Sequence, residues 1–363
     1  MKKIVLISLA MISVGGLFLA GCAQPAHAPS PFPSLSPAPA SEEIIKLKFS
    51  NYQPPQSVPM LRFHEPFARK VEELTNGRIR ITSYPGGVLG TAADQYDLVL
   101  TGTADMAMVS TGFLPGVFPL TEVIELPMQF GSSEVAGAVY WDITAKYLLD
   151  SDYRKVKVLY VNPTGLFNIF STKEVKTLED LKGLKTASPS PIEAKTFALL
   201  GLATASMPPP EMYIALKKGL IDLSWNEWEG GYVTWKTYEV TKYRIGNIDI
   251  ATHPNVFIMN CDVWNSLPAD IKHAFEEAGG FRKSRECGRI MDEVNEQALQ
   301  QIVDYDQKIG NPPICYLPED EKAKWKEAVT PQIEEWVAEK EAAGLPGRAI
   351  LQDLQALVKK YSN

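Results

Sequence analysis

Residues 67–90 read FARKVEELTNGRIRITSYPGGVLG and hold a helix, its stop, a strand and a turn in one pass. With Phe63 just upstream, Phe67, Val71 and Leu74 recur at helical spacing. Gly77 stands where a C-terminal cap belongs, because glycine takes the left-handed backbone there without a Cβ penalty. RIRITSY (78–84) reads as a strand and PGGVLG (85–90) as a turn. Working outward, IIKLKFS (44–50) is a strand, AADQYDLVLTG (92–102) a second helix, and ADMAMVS (104–110) the next strand. VKVLYVN (156–162) follows, then a helix start at TLEDLKG (177–183), where Thr177 and Asp180 have the spacing of a capping box. PPEMYIALKKG, LIDLSWN and NVFIMN continue the pattern. Strand and helix taking turns predicts an α/β protein with helices on the sheet faces. Beyond Asp262 the chain turns almost wholly helical, and residues 281–310 predict one helix of roughly 45 Å, long enough to lie across two lobes.

The 363 residues suffice for one large or two medium domains. Composition is that of a soluble globular protein, with 45% hydrophobic and 22% charged residues and a formal charge of -7. Basic residues are scattered among more numerous acids, so the positive footprint of a nucleic-acid binder is missing and nucleic acid is excluded as a partner.

The N-terminus carries a different message. MKK precedes the uncharged apolar run IVLISLAMISVGGLFLA, which ends in Leu19-Ala20-Gly21-Cys22. The run has the length of a signal-peptide core, and its end resembles the lipobox of bacterial lipoproteins, in which the cysteine is lipidated and becomes the first residue. That resemblance makes residues 1–21 a lipoprotein signal peptide and Cys22 the lipidation site. A single membrane-spanning anchor is the alternative, disfavoured because the run is short for a span. Residues 23–41 hold six prolines and no charged residue, a composition that favours extended chain, so 22–43 reads as a Pro/Ala/Ser-rich tether. Three cysteines remain, Cys261, Cys287 and Cys315; an odd number cannot all pair within one chain, so they are expected to be buried thiols with at most one disulfide.

Signatures of enzymes are scarce. GxSxG, GxxxxGK[ST], HExxH and a well-formed GxGxxG do not occur. His27, His64, His253 and His273 lie far apart, so no metal and no cofactor is assigned. The strongest candidates for chemistry are Glu227 and Glu229 in WNEWEGG, which would share a face if they lay on a strand. Glycosidases place their two carboxylates on opposite sides of a bond, which neighbours on one strand face rarely achieve. An envelope hydrolase therefore stays a minor alternative.

Several stretches together resemble the DctP-type solute-binding proteins of TRAP (tripartite ATP-independent periplasmic) transporters. They are LKFSNYQPP (47–55), residues 67–90, YDLVLTGTADMAMVSTG (96–112) and FPLTEVIELPMQF (118–130), continued in order by TLEDLKGLKTASPSP (177–191), residues 208–229 and MNCDVWNSLPADIKHAF (259–275). The resemblance implies a two-lobed periplasmic-binding-protein-like fold with hinge strands and a long connecting helix. Lobe I is then 44–163 and 250–285, and lobe II 164–249 and 286–363. It also implies a non-enzymatic, extracytoplasmic receptor that captures a small-molecule organic solute in the interdomain cleft. Its partners would be the small and large TRAP membrane subunits, with the membrane itself held through lipid on Cys22. A receptor for an ATP-driven importer is the alternative within the same class.

In that family LKGLK is usually followed by Ile-Arg-Val, whose arginine clamps the ligand carboxylate with its planar fork of donors. Here the sequence runs on into Thr186, Ala187 and Ser188, so Ala187 replaces the arginine, and a second frequent family arginine falls on Phe167. Either Arg62, Lys173 or Lys195 reaches in, or hydroxyls, amides and rings hold the solute. The second course makes Tyr52, Phe167, Trp225 and Trp228 the ring faces and Asn168, Ser188 and Asn226 the polar contacts. Glu229 would then meet a cationic group. A site of this kind suits an aromatic, neutral or zwitterionic solute better than a simple dicarboxylate.

Overall fold

In the computed structural model, which describes residues 44–362, the stretch 67–90 folds as its spacing predicts. The leader, Cys22 and the tether lie outside the described residues. After strand β1 (Ile45–Ser50), helix α1 (Glu65–Leu74) buries Phe67 and Val71 and ends where Gly77, at φ 79°, donates its N–H to the Glu72 carbonyl. Strand β2 (Ile79–Tyr84), helix α2 (Gln95–Leu100), strand β3 (Met106–Ser110), helix α3 (Ser133–Ile143) and strand β4 (Val156–Pro163) follow. Next come β5 (Asn168–Ser171), β6 (Lys185–Ala187), α4 (Pro191–Leu199), β7 (Ala203–Ala205), α5 (Pro209–Lys217), β8 (Leu223–Asn226) and β9 (Tyr243–Gly246). The chain closes with β10 (Pro254–Asn260), α6 (Cys261–Ser266), α7 (Ala269–Ala278), α8 (Gly280–Ile309), β11 (Cys315–Tyr316), α9 (Glu319–Ala342) and α10 (Gly347–Tyr361).

Two main sheets organise these elements. The first has the order β2-β1-β3-β10-β4, with β1 parallel to β2 and β3, and β10 antiparallel to both neighbours. Alternation along β3 sends Met106 and Met108 to a core shared with Phe67, Phe257 and Phe275, and Ala107 and Val109 to one shared with Val139 and Tyr140. The second sheet has the order β11-β9-β5-β8, while β6 and β7 form a separate parallel pair. Its core holds Ile169, Phe197, Leu223, Trp225 and Ile245. No helix among the described residues is long and apolar enough to cross a membrane.

The chain passes between the sheets at two adjacent strand crossovers, residues 164–167 from β4 to β5 and residues 247–253 from β9 to β10. They are bonded side by side, Thr164 N–H to the His253 carbonyl at 3.0 Å and Phe167 N–H to the Ala251 carbonyl at 3.0 Å. The 30-residue α8 spans the gap as expected. Its Cys287, Ile290, Met291 and Val294 pack on the first sheet, and its Ala298 and Ile302 pack with Phe170 and Trp228 of the second. Helix α9 does the reverse, with Trp325 and Val329 in the second sheet's core and Trp336 and Val337 in the first.

Close approach of α3 and α8 depends on glycine. A Cβ at Gly288 would lie 2.0 Å from the Ser133 carbonyl oxygen, a backbone atom that cannot swing aside. Gly288→Ala is expected to cost about 1–3 kcal/mol through overpacking, read as a fall in thermal midpoint. An unchanged midpoint would show that the two helices can part without loss.

Two expectations need correction. The capping box of Thr177 and Asp180 forms, yet only the single 3-10 turn Leu178–Leu181 follows, because Gly183 at φ 77° redirects the chain into β6. Of the three thiols expected to be buried only Cys287 is; Cys261 and Cys315 are half-buried, and all three are free.

Candidate ligand cleft

Between the two sheets lies a cavity of about 60 Å³, room for a few ordered waters. Tyr52, Phe113, Phe167, Phe197, Trp225 and Trp235 give it aromatic walls. Gln53, Glu193, Asn226, Glu227, His253 and Asn255 supply polar groups, and no lysine or arginine lines it. Tyr52 and Gln53 follow β1, Phe113 follows β3 and Asn255 lies on β10. Ala187 ends β6, Glu193 and Phe197 lie on α4, and Trp225 and Asn226 end β8. Phe167 and His253 come from the two crossovers.

The rings are fixed from behind. Trp225 stacks on Phe197 with centroids 4.5 Å apart at 6°, and Trp325 meets it edge-on at 6.4 Å. Tyr52 leans on Phe113 at 5.6 Å and shares a hydrogen bond of 3.0 Å with the Ser110 hydroxyl. Burial pushes its phenol up to about 12, so it is a neutral hydrogen-bonding group at any ordinary pH.

The electrostatic centre is a buried knot of acids around one histidine. Helix α4 opens with Ser190 as N-cap and Pro191 at the first helical position, a pairing that satisfies the orphan amides and presets the backbone. That start places Glu193 so that Ser188 donates to it at 2.7 Å and His253 Nδ1 lies 2.9 Å from its Oε1. Ser190 also donates to Glu125, which approaches from the first sheet's side. Burial pushes Glu125 above the usual carboxylate range, and burial followed by the charge of Glu229 pushes Glu227 up to about 8. For His253 burial opposes the charged ring, yet the charge and hydrogen bond of Glu193, with the charges of Glu125 and Glu227, raise it to about 9. At neutral pH the knot therefore holds a charged imidazolium beside Glu193. Donor atoms of Glu125, Glu193 and His253 lie within 4.8 Å of one another. Hydrogen bonds to Ser188, Ser190 and each other engage them, and no metal is assigned there.

Five of the sequence-selected residues, Tyr52, Phe167, Ala187, Trp225 and Asn226, line this cavity. The other four do not. Asn168 bonds the Leu166 carbonyl at 3.2 Å, Ser188 serves Glu193, and Trp228 packs on Phe170 in the second sheet's outer core. Glu229 accepts from Thr234 at 2.7 Å while its amide donates to Asn295. Glu227 and Glu229 share no strand face, because β8 ends at Asn226 and the chain turns helical at Trp228. The basic residues considered for the cleft lie elsewhere: Arg62 and Lys173 are exposed, and Lys195 pairs with Glu335 at the surface. Sequence reading missed His253, Glu125 and Glu193 as site residues. The available signal was Glu193 itself, the first charge after Lys185 in a stretch whose arginine is missing.

Three buried polar atoms on cavity residues have no hydrogen-bond partner: His253 Nε2, Trp225 Nε1 and Gln53 Oε1. Leaving such groups unmatched costs about 1–3 kcal/mol each, so each calls for a partner within the cavity, an ordered water or a bound molecule.

Two lobes meeting at paired crossovers over an aromatic cleft with unmatched polar atoms define a solute-binding protein. The model of the DctP family, bacterial extracellular solute-binding protein family 7, matches residues 49–340, and the chain belongs to that family. It is 29% identical over 305 residues to the C4-dicarboxylate-binding periplasmic protein DctP of Rhodobacter capsulatus, covering 82% of this chain and 88% of that one. Among solved structures it resembles a TRAP solute-binding protein of Rhodoferax ferrireducens T118 in complex with copurified benzoate. Identity there is 28% and the TM-score 0.82, over 88% of this chain and 98% of the other. A marine metagenome TRAP protein specific for aromatic acids, with bound 3-hydroxybenzoate, is similar at 26% identity and TM-score 0.82, over 88% of this chain and all of that one (100%).

Proposed function

We propose that this protein is the solute receptor of a TRAP transporter, tethered outside the cytoplasm through lipid on Cys22. It closes its two lobes on a compact aromatic or zwitterionic carboxylic acid and hands it to the small and large membrane subunits. The lobes on this reading are 44–163 with 250–285, and 164–249, while α8 and α9 pack on both and α10 packs in the first sheet's core rather than in the second lobe. One observation carries the ligand class: the cleft has six aromatic walls and no guanidinium or ammonium group. A linear dicarboxylate brings two charges, which guanidinium groups match best, whereas a flat ring with one carboxylate fits walls of this kind. Similarity to receptors holding benzoate and 3-hydroxybenzoate supports the same choice.

A thermal-shift screen of the body from Ser41 onward tests it, with benzoate, 3-hydroxybenzoate, mandelate, amino acids, betaines, succinate and malate. A true ligand at 100 times its dissociation constant adds about 2.7 kcal/mol to stability. The expected result is a clear upward shift with an aromatic or zwitterionic acid. Tight binding of succinate or malate with none of the others would overturn the ligand class.

A further inference from the structure

We propose that the solute's carboxylate is received by His253 Nε2 and Trp225 Nε1, an imidazole and indole pair standing in for the missing arginine, with Glu193 orienting the imidazole. The inference rests on the receptor reading above and says which atoms do the recognising.

Both atoms are buried, both belong to residues that line the same cavity, and neither has a partner within the protein. An indole N–H can only donate, so Trp225 asks for an acceptor. On His253 the other ring nitrogen is engaged by Glu193 at 2.9 Å, which fixes a proton on Nδ1 and leaves Nε2 as the free end. The main chain holds the residue as well: its N–H donates to the Thr164 hydroxyl at 2.9 Å and its carbonyl accepts from Thr164 N–H. Phe113 covers the ring at 5.1 Å. The acids facing His253 are Glu193 from α4, Glu125 from the 3-10 turn Thr121–Glu125 and Glu227 just beyond β8, and no basic side chain among the described residues lines the cavity to oppose them. Those acids favour the charged ring, and a charged ring makes Nε2 a second donor. Two buried donors on one cavity select an acceptor such as a carboxylate. Ala187 and Phe167, where the family resemblance leads one to expect arginines, line the same space as the supported imidazole.

Titration calorimetry with benzoate, and with benzamide as its neutral isostere, tests this on the native chain and on His253→Gln, Trp225→Phe and Glu193→Gln. Trp225→Phe keeps an aromatic ring against Phe197 and removes the N–H together with part of the indole's contact area. The native protein is expected to bind benzoate and to prefer it to benzamide by about tenfold or more, the scale of a charge-assisted hydrogen bond. His253→Gln should remove most of that preference, and Trp225→Phe should weaken benzoate about fivefold. Glu193 is a positioning residue, so its readout is the pH profile. Native affinity should fall as the pH rises through about 9, where His253 loses its proton; in Glu193→Gln the fall should come at lower pH. Thermal midpoints verify that each variant is folded. Benzoate bound within twofold of native by both His253→Gln and Trp225→Phe, or benzamide bound as tightly as benzoate, would overturn the inference and leave the receptor reading intact. A native chain that binds no monocarboxylate would overturn the inference, and one that binds none of the screened solutes would overturn the receptor reading as well.

Discussion

Asp306→Ala is expected to lower the unfolding free energy by about 3–5 kcal/mol, the usual result of stranding one member of a buried ion pair. Arg244 is 0% exposed at its side chain and Asp306 3%, with Nη2 3.2 Å from Oδ1. The guanidinium also donates to the Thr241 hydroxyl and the Tyr238 carbonyl and lies 5.3 Å from the Phe170 ring, while Asp306 accepts from Asn311 at 2.7 Å. The pair ties β9 to the end of α8, so the loss should appear in urea unfolding with solute affinity unchanged, since neither residue lines the cleft. Replacing both partners, as in Arg244→Met with Asp306→Leu, should recover much of the stability because no charge is left buried. A single-variant loss below about 1 kcal/mol would place the pair with ordinary surface bridges and refute this reading.

Stability is also expected to fall as the pH is raised from 6 to 9, by about 3 kcal/mol or more. Glu227, at about 8, and Glu229, at about 7, are raised chiefly by burial, and Glu125 moves the same way. His253, at about 9, is raised against burial by its acids. Each holds its proton to higher pH in the folded chain than in the unfolded one. Their contributions are therefore fully present below the unfolded values and are lost as the pH climbs through the folded ones. His64 has the opposite sign. Burial, then the charge of Lys283, lowers it to about 3, so it removes stability only between its unfolded value near 6.5 and that point. It offsets nothing above pH 6.5. Thermal midpoints across the range would measure the effect, and Glu227→Gln, which has no proton to lose, should flatten the slope. Parallel slopes for native and variant would refute the assignment to Glu227.

The fold was legible because its signals are local. Phe67, Val71 and Leu74 with Gly77, the alternation of Met106 to Ser110, and the apolar faces of residues 281–310 each announce an element without help from distant chain. Part of the cleft was legible too, since the register of the family resemblance picked out Tyr52, Phe167, Ala187, Trp225 and Asn226. The rest depends on events that register does not carry. β8 stops one residue before Glu227, which turns Trp228 and Glu229 away from the cavity. Glu125, Glu193 and His253 sit 60 or more residues apart and meet only because two crossovers and the start of α4 converge. A histidine read alone is most often structural; what makes His253 different is three acids and an empty Nε2, and both are properties of packing.

The bonds from Ser190 to Glu125 and from Glu193 to His253 join the segments that face each other across the cleft. If the receptor opens there, an empty molecule must give up both before a solute can enter. Its apparent affinity is then the intrinsic one reduced by the fraction of molecules standing open. Removing the Ser190 hydroxyl would enlarge that fraction, so association should quicken although no atom that touches the solute has changed.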